Sequence, residues 1–163
     1  MDEQVNHDAP PVLTAIRDLL AAHDVPFREL VHEPTFTCEE SAAARGEPID
    51  IGGKCLLMKV GDSFGLYVMS AALQLKSRKL RHAKGERRMR FASREELLEM
   101  TGLVPGSVPP FGEPILPFPL HADESITRND RIAFNAGSLR HSLILSTEDY
   151  LRVASPTILS YAE

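Results

Sequence analysis

Apolar side chains at Val12, Leu13, Ile16, Leu19 and Leu20 recur at the three-to-four-residue spacing of an amphipathic helix, which predicts a helix over 11–23. Pro10 and Pro11 suit its start, and Pro26 lies beyond its end. The period then changes. Residues 27–32 (FRELVH) alternate as a strand does, and Glu33 and Pro34 end the run. Thr37 with Glu40 forms a capping-box pattern for a short helix to Ala44, which Gly46 terminates. Two longer runs, KCLLMKV and FGLYVMSA, joined by Gly61, Asp62 and Ser63, predict a β-hairpin at the sheet centre. A strand over 87–92 follows, then a helix opened by Ser93 and Glu96 and closed at Gly102. Strands are predicted at 115–121, 131–135 and 141–146, and a helix at 147–154. Helices and strands interleave without a regular βαβ rhythm. The expected fold is therefore α+β, one domain over 11–163 with a mixed, curved central β-sheet flanked by helices, preceded by a disordered tail over 1–10.

Composition bounds the class. The 163 residues, 43% hydrophobic and 25% charged, suit one globular domain with a full core. No apolar run is long enough for a bilayer and the N-terminus is polar and acidic, so the expectation is a soluble, cytoplasmic protein with no membrane partner. Cys38 and Cys55 form no CxxC pair and have no ligand neighbours at metal spacing, which predicts reduced thiols and no metal or cofactor. The net charge of −5 argues against general nucleic-acid binding, but its distribution is uneven. Residues 76–90 carry Lys76, Arg78, Lys79, Arg81, Lys84, Arg87, Arg88 and Arg90 against Glu86 alone. A compact basic strip on an acidic body suits a local phosphate partner, such as one end of a folded RNA; a solvated face is the alternative.

Three segments could carry chemistry. The first is GLVPGSVPPFG, 102–112, where Gly106 can take positive φ while Pro109 and Pro110 fix their own φ and lack N–H groups. The N–H donors of Gly106, Ser107 and Val108 are then free to meet a carbonyl or a developing oxyanion. The second is Lys54, which in a strand shares a face with Leu56, Met58 and Val60. It either snorkels to water or holds a substrate group, and Gly52 and Gly53 before it favour close approach of a ligand. The third is Asn135-Ala136-Gly137-Ser138, either a plain hairpin turn or a third wall of a cleft. Of the histidines, His32 at a strand end is the best candidate for substrate contact. GGK is not a phosphate loop, since Pro48 and Cys55 stand where Gly and Ser or Thr are needed. HExxH and a compelling Ser-His-Asp set are also missing. A redox role for Cys55 would need a low-pKa exposed thiol, which an apolar strand does not offer.

The lysine opening GGKCLLMKV, the GxxxP loop Gly106-Ser107-Val108-Pro109-Pro110 and the segment FNAGSLRHSLILSTEDYL occur in an order that resembles the YbaK and prolyl-tRNA synthetase-associated editing-domain family, closest to its freestanding, YeaK-like branch. The likeness spans about residues 12–155. It implies a single aminoacyl-tRNA editing domain that hydrolyses the ester of a mischarged tRNA without a protein nucleophile or cofactor. Lys54 and the Gly106 loop would be catalytic. His32, Ser107, Val108, Pro109, Pro110, Asn135, Gly137 and Ser138 would meet the substrate, with Gly137 lining the aminoacyl pocket. Lys76, Arg78, Lys79, Arg81, Lys84, Arg87 and Arg88 would meet tRNA. Some relatives carry Asn after the lysine, where this chain has Cys55, and the implied substrates are small residues: serine, threonine or alanine. The implied partners are the acceptor 3′ end of mischarged tRNA and an aminoacyl-tRNA synthetase. The competing reading is a non-catalytic tRNA- or synthetase-binding module of the same fold.

Overall fold

Two sheets meet at a single backbone bridge, Gly52 to Ala133, and that junction positions everything described below. The computed structural model describes residues 10–163; apart from Pro10, the expected tail over 1–10 lies outside the described residues. Helix α1 (Pro11–Ala22) starts on two prolines, as its missing N–H groups allow, and buries Leu13, Ile16 and Leu20 completely. Each such side chain contributes about 1.5–3 kcal/mol of burial. Strand β1 (Arg28–Val31) follows, tied back to α1 by the Arg17–Glu29 ion pair. Helix α2 (Cys38–Arg45) has Thr37 as its N-cap, accepting the Glu40 N–H, and Gly46 at φ +67° as its stop.

A short 3₁₀ turn (Ile49–Ile51) leads into the hairpin of β2 (Gly53–Val60) and β3 (Ser63–Ser70), in register from Gly53 opposite Ser70 to Val60 opposite Ser63. Helix α3 (Ser77–Lys84), strand β4 (Met89–Phe91) and helix α4 (Arg94–Thr101) come next, α4 opening on the full Ser93/Glu96 capping box. Then follow β5 (Leu120–Asp123), β6 (Arg131–Asn135), β7 (His141–Ser146), α5 (Thr147–Ala154) and β8 (Thr157–Leu159). The larger sheet has the order β4-β2-β3-β5-β8, antiparallel across β4-β2-β3 and parallel across β3-β5-β8; the smaller has the antiparallel order β1-β7-β6.

The domain is thus mixed α+β, with its strands divided between two sheets. The division has a local cause. A Cβ on Gly53 would lie 2.6 Å from Ile132 Cδ1, so β6 passes over the face of β2 rather than extending its ladder. The strand expected over 115–121 begins only at Leu120, because Pro114, Pro117 and Pro119 remove ladder donors and the chain turns instead, with Ile115 and Leu116 N–H both reaching Gly112 O. Both faces of the β2–β3 hairpin are covered. Cys55, Leu57, Leu66 and Val68 join the main core with α1 and β6–β7, while Met58, Val60, Tyr67 and Met69 pack with Leu80 and Tyr161. No helix among the described residues is long and apolar enough to cross a membrane.

Candidate functional site

At the junction of the sheets lies a cavity of about 440 Å³, walled by α2, the start of β2, the 102–112 loop and the end of β6. Lys54, Gly106, Val108 and Asn135 line it together, although 81 residues separate Lys54 from Asn135 in the chain.

The loop is built locally. Val104-Pro105-Gly106-Ser107 forms a β-turn closed by Ser107 N–H to Val104 O at 3.1 Å, with proline at the second position and Gly106 at φ +87°. That is the residue order a type II turn requires. The Ser107 hydroxyl reinforces it, donating to Val104 O at 2.8 Å and accepting the Val104 N–H at 3.2 Å. The Ser107 amide expected to face a substrate is therefore spent inside the turn. The N–H groups of Gly106 and Val108, by contrast, meet no acceptor among the described residues, and both residues line the cavity. Beyond them Pro109 and Pro110 are buried, the Tyr150 hydroxyl donates to Pro110 O at 2.7 Å, and Phe111 packs edge-on against Phe134 and Tyr150. The two prolines anchor the loop from behind; they do not line the cavity.

The 135–138 segment grips the loop from the other side. Asn135 Nδ2 donates to Gly106 O at 2.8 Å and Gly137 N–H donates to Ser107 O at 2.9 Å. Gly137 itself, at φ +84°, faces helix α1, where a Cβ would come within 2.9 Å of Val12 Cβ; it supports the loop without lining the cavity. Ser138 Oγ accepts the Arg140 N–H and bonds His141 Nδ1, holding the hairpin turn. Gly52 and Gly53 do line the cavity, but the space their side chains would take is filled by Ala71 and Ile132. Their smallness serves packing within the chain, not ligand approach.

Arg45 was missed in the sequence. It ends α2, is only 8% exposed, and lines the cavity with no carboxylate partner among the described residues. Its Nε donates to Ser142 Oγ at 2.9 Å and its Nη2 to Asn135 Oδ1 at 3.0 Å. Burial pulls its pKa down to about 10, still protonated at neutral pH. His32 enters through the same serine: Nδ1 donates to Glu33 O at 2.8 Å and Nε2 lies 2.8 Å from Ser142 Oγ, which also stands 3.3 Å from Asn135 Oδ1. A chain of bonds thus runs His32–Ser142–Arg45–Asn135–Gly106. His32 stands one residue behind the cavity wall, not on it.

The lining carries three cations, Arg45, Lys54 and Arg94, and no aspartate or glutamate among its described residues. Lys54 Nζ has no hydrogen-bond or ion-pair partner among them. Cys55 borders the same space, and burial pushes its thiol well above the usual range, which makes it a poor nucleophile. Among the described residues no cluster of His, Cys, Asp or Glu is placed to hold a metal ion.

The basic strip lies elsewhere. Arg81, Arg87 and Arg88 share a second, open cleft of about 550 Å³ with Lys59, Ser77 and Arg90. Lys59 stands five residues along β2 from Lys54, about 17 Å away. Lys79 pairs with Glu163 and Lys84 Nζ donates to His121 Nε2 at 3.1 Å, while Lys76 precedes α3 without a side-chain capping bond and Arg78 is exposed.

The cavity thus brings together two amides without acceptors, three cations and no carboxylate among its described lining residues. The chain belongs to the aminoacyl-tRNA editing domain family, whose model matches residues 32–153. It is 38% identical over 149 residues, 88% of each chain, to the multifunctional Ser/Thr-tRNA deacylase ProXp-y of Escherichia coli (strain K12). It is 34% identical over 100 residues, 61% of this chain and 17% of the relative, to a proline–tRNA ligase of Shouchella clausii. The fold matches a solved structure provisionally described as a trans-editing enzyme for prolyl tRNA synthetase, with TM-score 0.80 at 23% identity over 96% of this chain and 99% of the other.

Proposed function

We propose that the protein is a freestanding deacylase that hydrolyses the ester of tRNA mischarged with a small amino acid, serine, threonine or alanine. The observation that carries this reading is the pair of unsatisfied N–H groups, Gly106 and Val108, on the wall of a cavity that also presents Lys54. Unpaired amides held by a rigid turn are the donors an ester carbonyl needs as it becomes an oxyanion, and they cost no reorganisation during reaction. Lys54 holds the terminal nucleotide through its phosphate or ribose. Water attacks the ester carbonyl with the substrate's own ribose hydroxyl as the proton acceptor, so no side-chain base is needed. The leaving ribose oxygen then takes the proton, giving free amino acid and uncharged tRNA. Arg45 acts behind the site by fixing Asn135, which fixes Gly106 O.

The resemblance to the Escherichia coli deacylase supports serine and threonine as first substrates. The cleft of Lys59, Arg81, Arg87, Arg88 and Arg90 takes phosphates of the acceptor stem, about 17 Å from the reacting end.

The test is deacylation of tRNAs charged separately with serine, threonine, alanine and cysteine. Hydrolysis of the first two or three, with cysteine spared, is the expected result. Binding of all four without hydrolysis would replace this reading with that of a non-catalytic tRNA-binding module.

A further inference from the structure

The most exposed large apolar side chain among the described residues is Phe36, 76% exposed, and it stands at the cavity mouth. Its backbone is pinned from both sides. Phe36 N–H donates to Glu40 Oε2 at 3.0 Å, Thr37 caps α2 by accepting the Glu40 N–H at 3.0 Å, and Thr35 N–H donates to Leu139 O at 3.1 Å while its hydroxyl bonds Ser41 Oγ at 2.8 Å. A ring left in water on so fixed a segment adds nothing to the core. Its neighbours on the same wall are cations without carboxylates: Arg45 and Lys54 within, Arg94 at the rim.

We infer that Phe36 is the stacking platform for an unpaired base at the 3′ end of the RNA, a subsite that extends the functional reading above and rests on it. An unpaired nucleotide presents a π-face and a phosphate side by side, which is the pairing of aromatic ring and cations found here. An acidic peptide would satisfy the charges but would leave the ring without a flat partner. Stacking on Phe36 orders the last nucleotides before the ester reaches Gly106, so its contribution falls on binding rather than on the chemical step.

The chain contains no tryptophan, so Phe36→Trp installs a single fluorophore at the platform. The uncharged trinucleotide CCA is titrated against it, and Phe36→Leu and Phe36→Trp are assayed for deacylation of Ser-tRNA beside the wild type. The inference predicts saturable quenching by CCA, a rise of about tenfold in KM for Phe36→Leu with kcat within twofold, and recovery of KM in Phe36→Trp. Unquenched emission at CCA concentrations that equilibrium dialysis shows to be bound, or a wild-type KM in Phe36→Leu, overturns it. A wild type that hydrolyses no aminoacyl ester refutes the functional reading instead, and the fluorescence and dialysis arms, which need no turnover, still decide the platform.

Discussion

The two ends of strand β2 treat positive charge in opposite ways. At the Lys54 end, Arg45 and Lys54 face a cavity with no carboxylate among the described lining residues, beside two amides without acceptors. At the Lys59 end the charges are shared out: Arg90 is held by both oxygens of Glu96, Arg81 donates to Arg87 O, and Lys59 and Arg90 lie over the Phe64 ring. The hydrogen bond to Glu96 raises the pKa of Arg90, whereas burial lowers that of Arg45. A buried cation without a counter-charge among the described residues, such as Arg45, is expensive to maintain, and an exposed paired one is not. In the function proposed above, the first end does the chemistry and the second attracts phosphates.

The comparison is broken most severely at the first end. Lys54→Ala should lower the single-turnover rate of Ser-tRNA deacylation about 10²-fold or more, because the ester is no longer positioned against the Gly106 and Val108 amides. Gly106→Ala should act on the same quantity by about 10²-fold, because an alanine at φ +87° is strained and its Cβ would sit 3.2 Å from Leu139 Cδ2. Wild-type turnover would dissociate Lys54 from the reaction in the first variant and the loop in the second. Arg45→Met comes next. It removes the guanidinium donor from Ser142 Oγ and leaves Asn135 Oδ1 only the longer bond from Ser142, so it should reduce kcat about tenfold and stability by about 1–3 kcal/mol in urea unfolding. A lowered stability with unchanged kcat would reduce Arg45 to packing.

At the other end the effects are smaller and fall on binding. Arg87→Ala with Arg88→Ala should raise KM severalfold and flatten the slope of log K against log salt by about 1–2, leaving kcat alone. The smallest effect is one of stability. His121 is stacked on Tyr67 with ring centroids 4.4 Å apart, and burial, with Lys84 also against it, holds its pKa below the ordinary 6.5. Burial likewise lowers His141. Below about pH 6.5 the unfolded chain then binds more protons than the folded one, so stability should fall as pH drops from 7.5 to 5.5, and His121→Gln should shrink that fall. A urea midpoint independent of pH over that range would contradict it.

Much of this contrast was legible in the chain. The Thr37 and Ser93 caps, the stops at Gly46 and Gly102, and strands 131–135 and 141–146 follow from local chemistry and appear where the pattern puts them. Helix α3 was hidden because its one buried side chain is Leu80, too little for a visible period, and β8 because three residues give no alternation. Lys54, the Gly106 loop and Asn135 could be named as candidates, and the fold brings them to one cavity. Ser107's amide was misjudged although Val-Pro-Gly-Ser carries a type II turn signal. Arg45 and Phe36 were not seen. An arginine at a helix end reads as a partner of the helix dipole, and a phenylalanine beside a cap reads as core; only the tertiary structure shows the first buried and the second bare.

The claim that one end of β2 reacts and the other attracts is tested most directly by single-turnover deacylation of Ser-tRNA at saturating protein, with Lys54→Ala set against the Arg87→Ala/Arg88→Ala pair. The account predicts a rate lost in the first and preserved in the second, whose defect appears only in the concentration needed to saturate. Equal loss of the saturated rate in both, or loss confined to the arginine pair, would contradict it.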